Sequence, residues 1–263
     1  MLKNRLIQSF LFAAVVAVFF SSCEPEDTDG GSGGFVEPTS ELELAFVGQI
    51  ADEPLPPKGQ DIYKDKSEGE SMLVTNWSFL MSNLALVKEN GDTVQLGDGY
   101  QWADLTGSRN VFNYKKIPQG KYTGLQFTMG FDSATNHGNP QVWPADHPMN
   151  PNLNGLHWGW AGGYIFQAMD GRYKANAGAT PGSFSFHTAT MQFVTRYFLP
   201  LDLSIEGAKH RVAVRINADR FFGGAQPIKF ADKSVSHSEG AHDELLMRIF
   251  LDNSLYAFRI YEE

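Results

Sequence analysis

Trp77-Ser-Phe-Leu-Met-Ser-Asn-Leu-Ala-Leu-Val87 runs into Asn90-Gly91 and returns as Thr93-Val-Gln-Leu96. Asn-Gly between two apolar runs is a strong hairpin signal, because both central residues of the turn need positive φ. The same grammar extends outward. Glu41-Leu-Glu-Leu-Ala-Phe-Val47 alternates polar and apolar and reads as a half-buried strand. Tyr122 to Met129, Gly163 to Met169, Ser183 to Phe186 and Tyr256 to Tyr261 read as further strands. Arg196 to Ile205 and His210 to Asn217 are expected to pair across Glu206-Gly207. Residues 51–71, with Pro54, Pro56 and Pro57, read as a loop. Helical spacing occurs in Ala241 to Leu251, and Asp219 to Phe222 suits a single helical turn. No fixed-period repeat is present. The expected fold is all-β: a single antiparallel β-sandwich with a long His/Trp-rich insert and one short C-terminal helix.

Composition narrows the function. The chain has 263 residues, enough for one large domain with a real core. Asp and Glu number 30 against 21 Lys and Arg, a net charge of −9, and no basic cluster appears; this excludes nucleic acid as a partner. One cysteine excludes a disulfide framework and a cysteine-based zinc site.

Lys3 and Arg5 precede an apolar run from Phe10 to Phe20, followed by Ser21-Ser22-Cys23. Residues 1–22 read as a secretory signal, the run being short for a membrane span. Phe20-Ser-Ser-Cys23 resembles a lipobox, which makes Cys23 the lipidation site and the membrane a partner through that lipid. Acidic residues and then Gly30-Gly-Ser-Gly-Gly34 follow, a flexible tether over 23–39 before a domain spanning 40–263. An acidic stretch after the lipid cysteine resembles the export signal of Bacteroidetes-type surface lipoproteins. The expected location is the cell envelope, as a surface-exposed outer-membrane lipoprotein.

Chemistry concentrates in residues 132–161, a long stretch with little periodicity. Three of the seven histidines (His137, His147, His157) and three of the five tryptophans (Trp143, Trp158, Trp160) lie there, with Met149. His187 ends the apolar strand Phe184-Ser-Phe-His187. Imidazole and thioether donors without cysteine or a carboxylate cluster suit copper better than magnesium or calcium. The bland alternative is that these side chains pack and hydrogen-bond in loops. Zincin, nucleophile-elbow, Walker and dinucleotide motifs are absent. His210, His237 and His242 lie far from the insert in sequence and read as surface residues.

Asn136-His137, Pro148-Met-Asn150, Leu156-His-Trp-Gly-Trp160, Gly163-Tyr-Ile-Phe166 with Asp170, and Phe186-His187 occur in that order. Together they resemble the MbnP-like copper-binding family, the family of the methanobactin-cassette partner protein. The resemblance implies Cu(I) held by two histidines and an oxidised tryptophan, kynurenine, with a di-haem peroxidase-like partner enzyme carrying out the oxidation. Carried onto this chain, His137 and His187 are the ligands and Trp158, or else Trp160, the modified residue. Three positions depart from the family pattern. His157 stands where an aromatic is usual, either as an added ligand or as its replacement. Thr188-Ala189 follow the second histidine in place of Leu-Gly, and no later cysteine is present.

The reading is therefore a copper-binding protein without turnover, for storage, sensing or delivery. The alternative is a carbohydrate- or ligand-binding surface lipoprotein with Trp143, Trp158 and Trp160 as a stacking platform. An enzyme would need an open metal position and a base such as Asp146, and no substrate is indicated.

Overall fold

Alternating burial along the strands builds two sheets that face each other. The computed structural model describes residues 37–66, 69–159, 162–238 and 240–263. The signal peptide, Cys23, most of the tether and Trp160 lie outside the described residues, as does the side chain of His242. In chain order the strands are β1 (Thr39–Ile50), β2 (Glu53–Pro54), β3 (Lys64–Asp65), β4 (Ser71–Lys88), β5 (Thr93–Gln95), β6 (Gln101–Asp104), β7 (Val111–Pro118), β8 (Gly120–Met129), β9 (Ile165–Lys174), β10 (Gly182–Ala189), β11 (Thr195–Ile205), β12 (Lys209–Asn217), β13 (Val235–Ser236) and β14 (Phe258–Glu262). The helices are α1 (Ser133–Asn136), α2 (Pro151–Asn154), α3 (Ala218–Phe222) and α4 (Gly240–Ser254). The fold is an all-β sandwich, and α4 is its one helix of substantial length among the described residues. None of those helices is long and apolar enough to cross a membrane.

The smaller sheet has five strands in the order β14-β12-β1-β2, with β7 also on β1. The larger has nine, ordered β11-β8-β4-β9-β10-β13, with β3, β5 and β6 also on β4. Most pairs are antiparallel, but β1 runs parallel to β12 and β10 parallel to β13. The hairpin at Asn90-Gly91 forms as expected, with Val87 opposite Thr93 and Gly91 at φ 88°. The expected pairing across Glu206-Gly207 does not form. There β11 stays with β8 in the larger sheet, while β12 crosses to β1 and β14 in the smaller. The turn is local, but the choice of partner follows side-chain burial: Val212, Val214 and Ile216 are buried in the smaller sheet's face.

Between the sheets, Phe46 of β1 meets Phe79 of β4 at 5.8 Å and Phe127 of β8 at 6.4 Å, both edge-on. Trp77 packs edge-on against Phe221 of α3 at 5.7 Å. On β10, Phe184 and Phe186 are buried, and Phe186 stacks on Phe250 of α4 at 5.3 Å. Each such aromatic contributes about 1.5–3 kcal/mol through burial. Strand alternation then sends Ser185 and His187, both half-buried, to the opposite face of the same sheet. That face carries the candidate site.

Candidate metal centre

The insert is a chain of capped turns. Asp132 caps α1 by accepting from Thr135 N at 2.8 Å, Asn139 accepts from Gln141 N, and Asn150 caps α2 by accepting from Asn152 N. Pro140 and Pro151 sit at helix N1 positions, where no N–H is needed. Asn150 also donates to the carbonyls of Trp143 and Pro144, at 2.9 and 3.1 Å. Asparagine amides thus replace backbone partners that regular structure would supply. Met149 is fully buried and belongs to the core. Its carbonyl accepts from the Tyr164 hydroxyl at 2.8 Å.

His157 and Tyr164 form a bridge that turns the chain back, and Trp158 N donates to Gly163 O at 2.9 Å. Asn136 ties this turn to α1: its Oδ1 accepts from Tyr164 N at 3.0 Å. Gly163, at φ +69°, lies so close to Asn136 that a Cβ would stand 2.8 Å from its amide nitrogen. His137 follows at the C-cap of α1 and is exposed. His157 accepts from Gly159 N at 2.9 Å through Nδ1 and sets its ring edge-to-face against Tyr164 at 4.7 Å. Burial lowers its pKa.

Cross-strand register assembles the rest. Asn76 on β4, Asp170 on β9 and Ser185 on β10 stand opposite one another. Small Ala168 faces His187, leaving its ring room to lean onto Asp170. Asp170 receives Ser185 Oγ at 2.6 Å, His187 Nε2 at 2.8 Å and Asn76 Nδ2 at 2.8 Å. Burial alone would raise its pKa, but these three bonds outweigh it and hold the carboxyl at about 2. It is an anion at neutral pH.

Trp158 lies over this row, half-buried, with its ring 6.3 Å from His187. His237 sits there too, stacked on His187 at 4.7 Å with planes 14° apart, and 6.3 Å from Trp158. The sequence reading left His237 on the surface. The parallel pairing of β13 with β10 carries it in, with Phe186 opposite Ser236. No local motif announces that pairing, which joins segments about fifty residues apart.

Among the described residues no group of three or more His, Cys, Asp or Glu is arranged as a metal cluster. The donor set implied by the resemblance, two imidazoles and one modified indole, does not require one. His187 meets a ligand's usual requirement: one ring nitrogen is held by a carboxylate, and Nδ1 makes no hydrogen bond among the described residues. Trp143 and His147 form a separate cluster, stacked at 4.4 Å, with His147 Nε2 on Asp98 at 2.6 Å.

Comparison with known proteins agrees with the fold. Among solved structures, MbnP from Methylosinus trichosporium superposes with a TM-score of 0.51 at 13% identity, covering 77% of this chain and 82% of that one. No curated protein matches the sequence. The family model described as MbnP matches residues 39–241, which takes in the insert, the Asp170 row and the three strands that carry it. On that match, which spans most of the chain, the protein belongs to the MbnP family.

Proposed function

We propose that the protein is a copper-binding lipoprotein of the cell envelope. It holds Cu(I) where His187 and Trp158 meet, for storage, sensing or delivery rather than turnover. The observation that carries this reading is His187 itself: its Nε2 rests on the ionised Asp170, and its ring lies beside Trp158. A neutral imidazole oriented by a carboxylate suits a soft, low-coordinate cuprous ion. His137 is the second imidazole in this reading, on the segment that Asn136 ties to the Trp158 turn. Conversion of Trp158 to kynurenine by a di-haem peroxidase-like partner would add an amine and a ketone donor that indole lacks. Lipid on Cys23 would anchor the chain to the outer membrane.

A tryptophan platform for carbohydrate has less support, since one face of Trp143 is taken by His147.

The test is metal content and intact mass of protein purified from its native envelope. Copper near one equivalent, with the mass change of kynurenine on the peptide carrying Trp158, is expected. His187→Ala and His137→Ala should abolish tight Cu(I) binding. His210→Ala should not, because both its ring nitrogens are engaged, by Glu262 and by the Glu206 backbone. Equal affinity in all three variants would overturn the assignment.

A further inference from the structure

The larger sheet carries a second concavity at its other end, where β11 pairs with β8 and β8 with β4. There Arg196 stands opposite Thr128, and Phe198 opposite Gln126. Strand alternation leaves Arg196 and Phe198 exposed on one face while Tyr197 and Leu199 are buried on the other. Arg196, Phe198, Gln126, Thr128 and Asn83 line an open groove of about 510 Å³, a size typical of small-molecule sites. Among the described residues no acidic side chain lines it. A second hollow of about 220 Å³ shares Asn83, Thr128 and Arg196 and is walled in part by Tyr100 and Asp132. Arg196 thus sits where the two meet, with Phe198 in one and Tyr100 in the other.

Three features here are not explained by packing. Every other described arginine holds a carboxylate, a carbonyl or an aromatic ring. The Arg196 guanidinium has no partner among the described residues. Phe198 keeps 53% of its surface in water, and its ring rests on bare backbone: a Cβ at Gly124 would stand 2.6 Å from it. Lastly, β4 is irregular between Ser82 and Ala85, and Asn83 takes φ 54° there. A bulge re-aims a side chain, and this one delivers an amide to the groove.

We infer that this groove binds a linear glycan carrying one acidic sugar between neutral ones. The planar Arg196 guanidinium takes a carboxylate through two parallel N–H bonds. The amides of Asn83 and Gln126 and the Thr128 hydroxyl serve sugar hydroxyls. Phe198 on one side and Tyr100 on the other offer ring surface to the apolar C–H faces of the flanking sugars. Asp132 repels a second carboxylate in the smaller hollow, so consecutive acidic sugars are disfavoured. A peptide strand finds no edge at the groove floor, because β8 is hydrogen-bonded on both sides. The site shares no residue with the Asp170 row and stands whether or not copper binds there.

The test is titration calorimetry of the full chain with a trisaccharide of N-acetylglucosamine, glucuronate and N-acetylglucosamine. Binding is expected, with amide chemical-shift changes centred on Gln126, Thr128 and Arg196. Chitotriose has the same length without the carboxylate and should bind about 10–100-fold more weakly. Arg196→Gln should weaken the acidic trisaccharide by that same factor and leave chitotriose unchanged, whereas Phe198→Ala should weaken both. Both side chains are exposed, so the two variants should melt with the wild-type protein. His187→Ala should bind the trisaccharide as the wild type does. No binding of the acidic trisaccharide, or binding that Arg196→Gln leaves intact, overturns the inference. An acidic peptide of equal length and charge that binds more tightly than the sugar overturns it too and assigns the groove to polypeptide.

Discussion

Lys66 and Glu70 form an ion pair that is almost entirely withdrawn from water, with Nζ 2.9 Å from Oε2. Lys66 also donates to Ile228 O, and Glu70 accepts from the backbone of Phe230 and Ala231, both at 3.0 Å. The pair pins the connection between α3 and β13, the strand that His237 follows. Burial alone would raise the Glu70 pKa, but the Lys66 ammonium and the two amides outweigh it and hold it below the usual 4.5. Removing one partner of such a pair strands a buried charge. Glu70→Ala should therefore cost about 3–5 kcal/mol in urea unfolding, and Lys66→Met with Glu70→Leu should recover most of that loss. The pH dependence follows from the same shift. A depressed carboxyl pKa contributes stability that is present above the unfolded-state value and lost as pH falls through the folded one. Wild-type stability should thus drop as pH falls below about 4.5, and the Met/Leu double variant should show a shallower acid limb. Parallel acid limbs in the two proteins would assign the loss to other carboxyls.

Two glycines beside His157 and Trp158 offer a matched comparison. Gly155 and Gly163 both adopt φ +69°, but a Cβ at Gly155 meets nothing within 4 Å, whereas at Gly163 it meets Asn136 at 2.8–2.9 Å. Left-handed backbone costs an alanine about 1–2 kcal/mol at either position. Gly163→Ala should cost more than Gly155→Ala and should also change the near-UV circular dichroism, because Trp158 bonds to Gly163 O. Equal losses with unchanged spectra would mean that the Asn136 contact yields freely. The same elements show what a sequence can and cannot disclose. The β4–β5 hairpin and α4 were readable because their signals are local: an Asn-Gly turn and a helical apolar spacing. His187 and Trp158 were readable as an ordered motif. His237 was not, because a two-residue strand in parallel register delivers it. The β11–β12 hairpin misled for the complementary reason: a good turn dipeptide joins strands whose partners are settled by core packing. The ordering of the insert was signalled by its Asn and Pro positions, which read as loop composition until they were placed at N-caps.

The insert and the sandwich share one core. Phe131 precedes the insert and meets Tyr164 at 5.2 Å and Phe166 at 5.9 Å, while Met149 and Leu156 are buried with them. A segment that buries its own side chains in the common core cannot open without exposing that core. Residues 37–263 should therefore unfold in one cooperative step. Trp158 lies in the insert and Trp77 at the centre of the larger sheet, so fluorescence and far-UV circular dichroism report on both regions. Their urea curves should coincide, and an early fluorescence transition would show that the insert opens by itself. Phe46 makes the matching point for the smaller sheet. It lies on β1, which pairs in parallel with β12 more than 160 residues later, and its ring touches Phe79, Phe112 and Phe127. Phe46→Ala should cost about 3–5 kcal/mol by both probes alike, since the cavity lies between the sheets. It should also slow refolding if that long-range pairing belongs to the transition state, or speed unfolding if it forms later, so a chevron on this one variant orders the assembly of the two sheets. The site needs β4, β9, β10 and β13 side by side. Binding competence should therefore appear only with the final cooperative phase and never ahead of it.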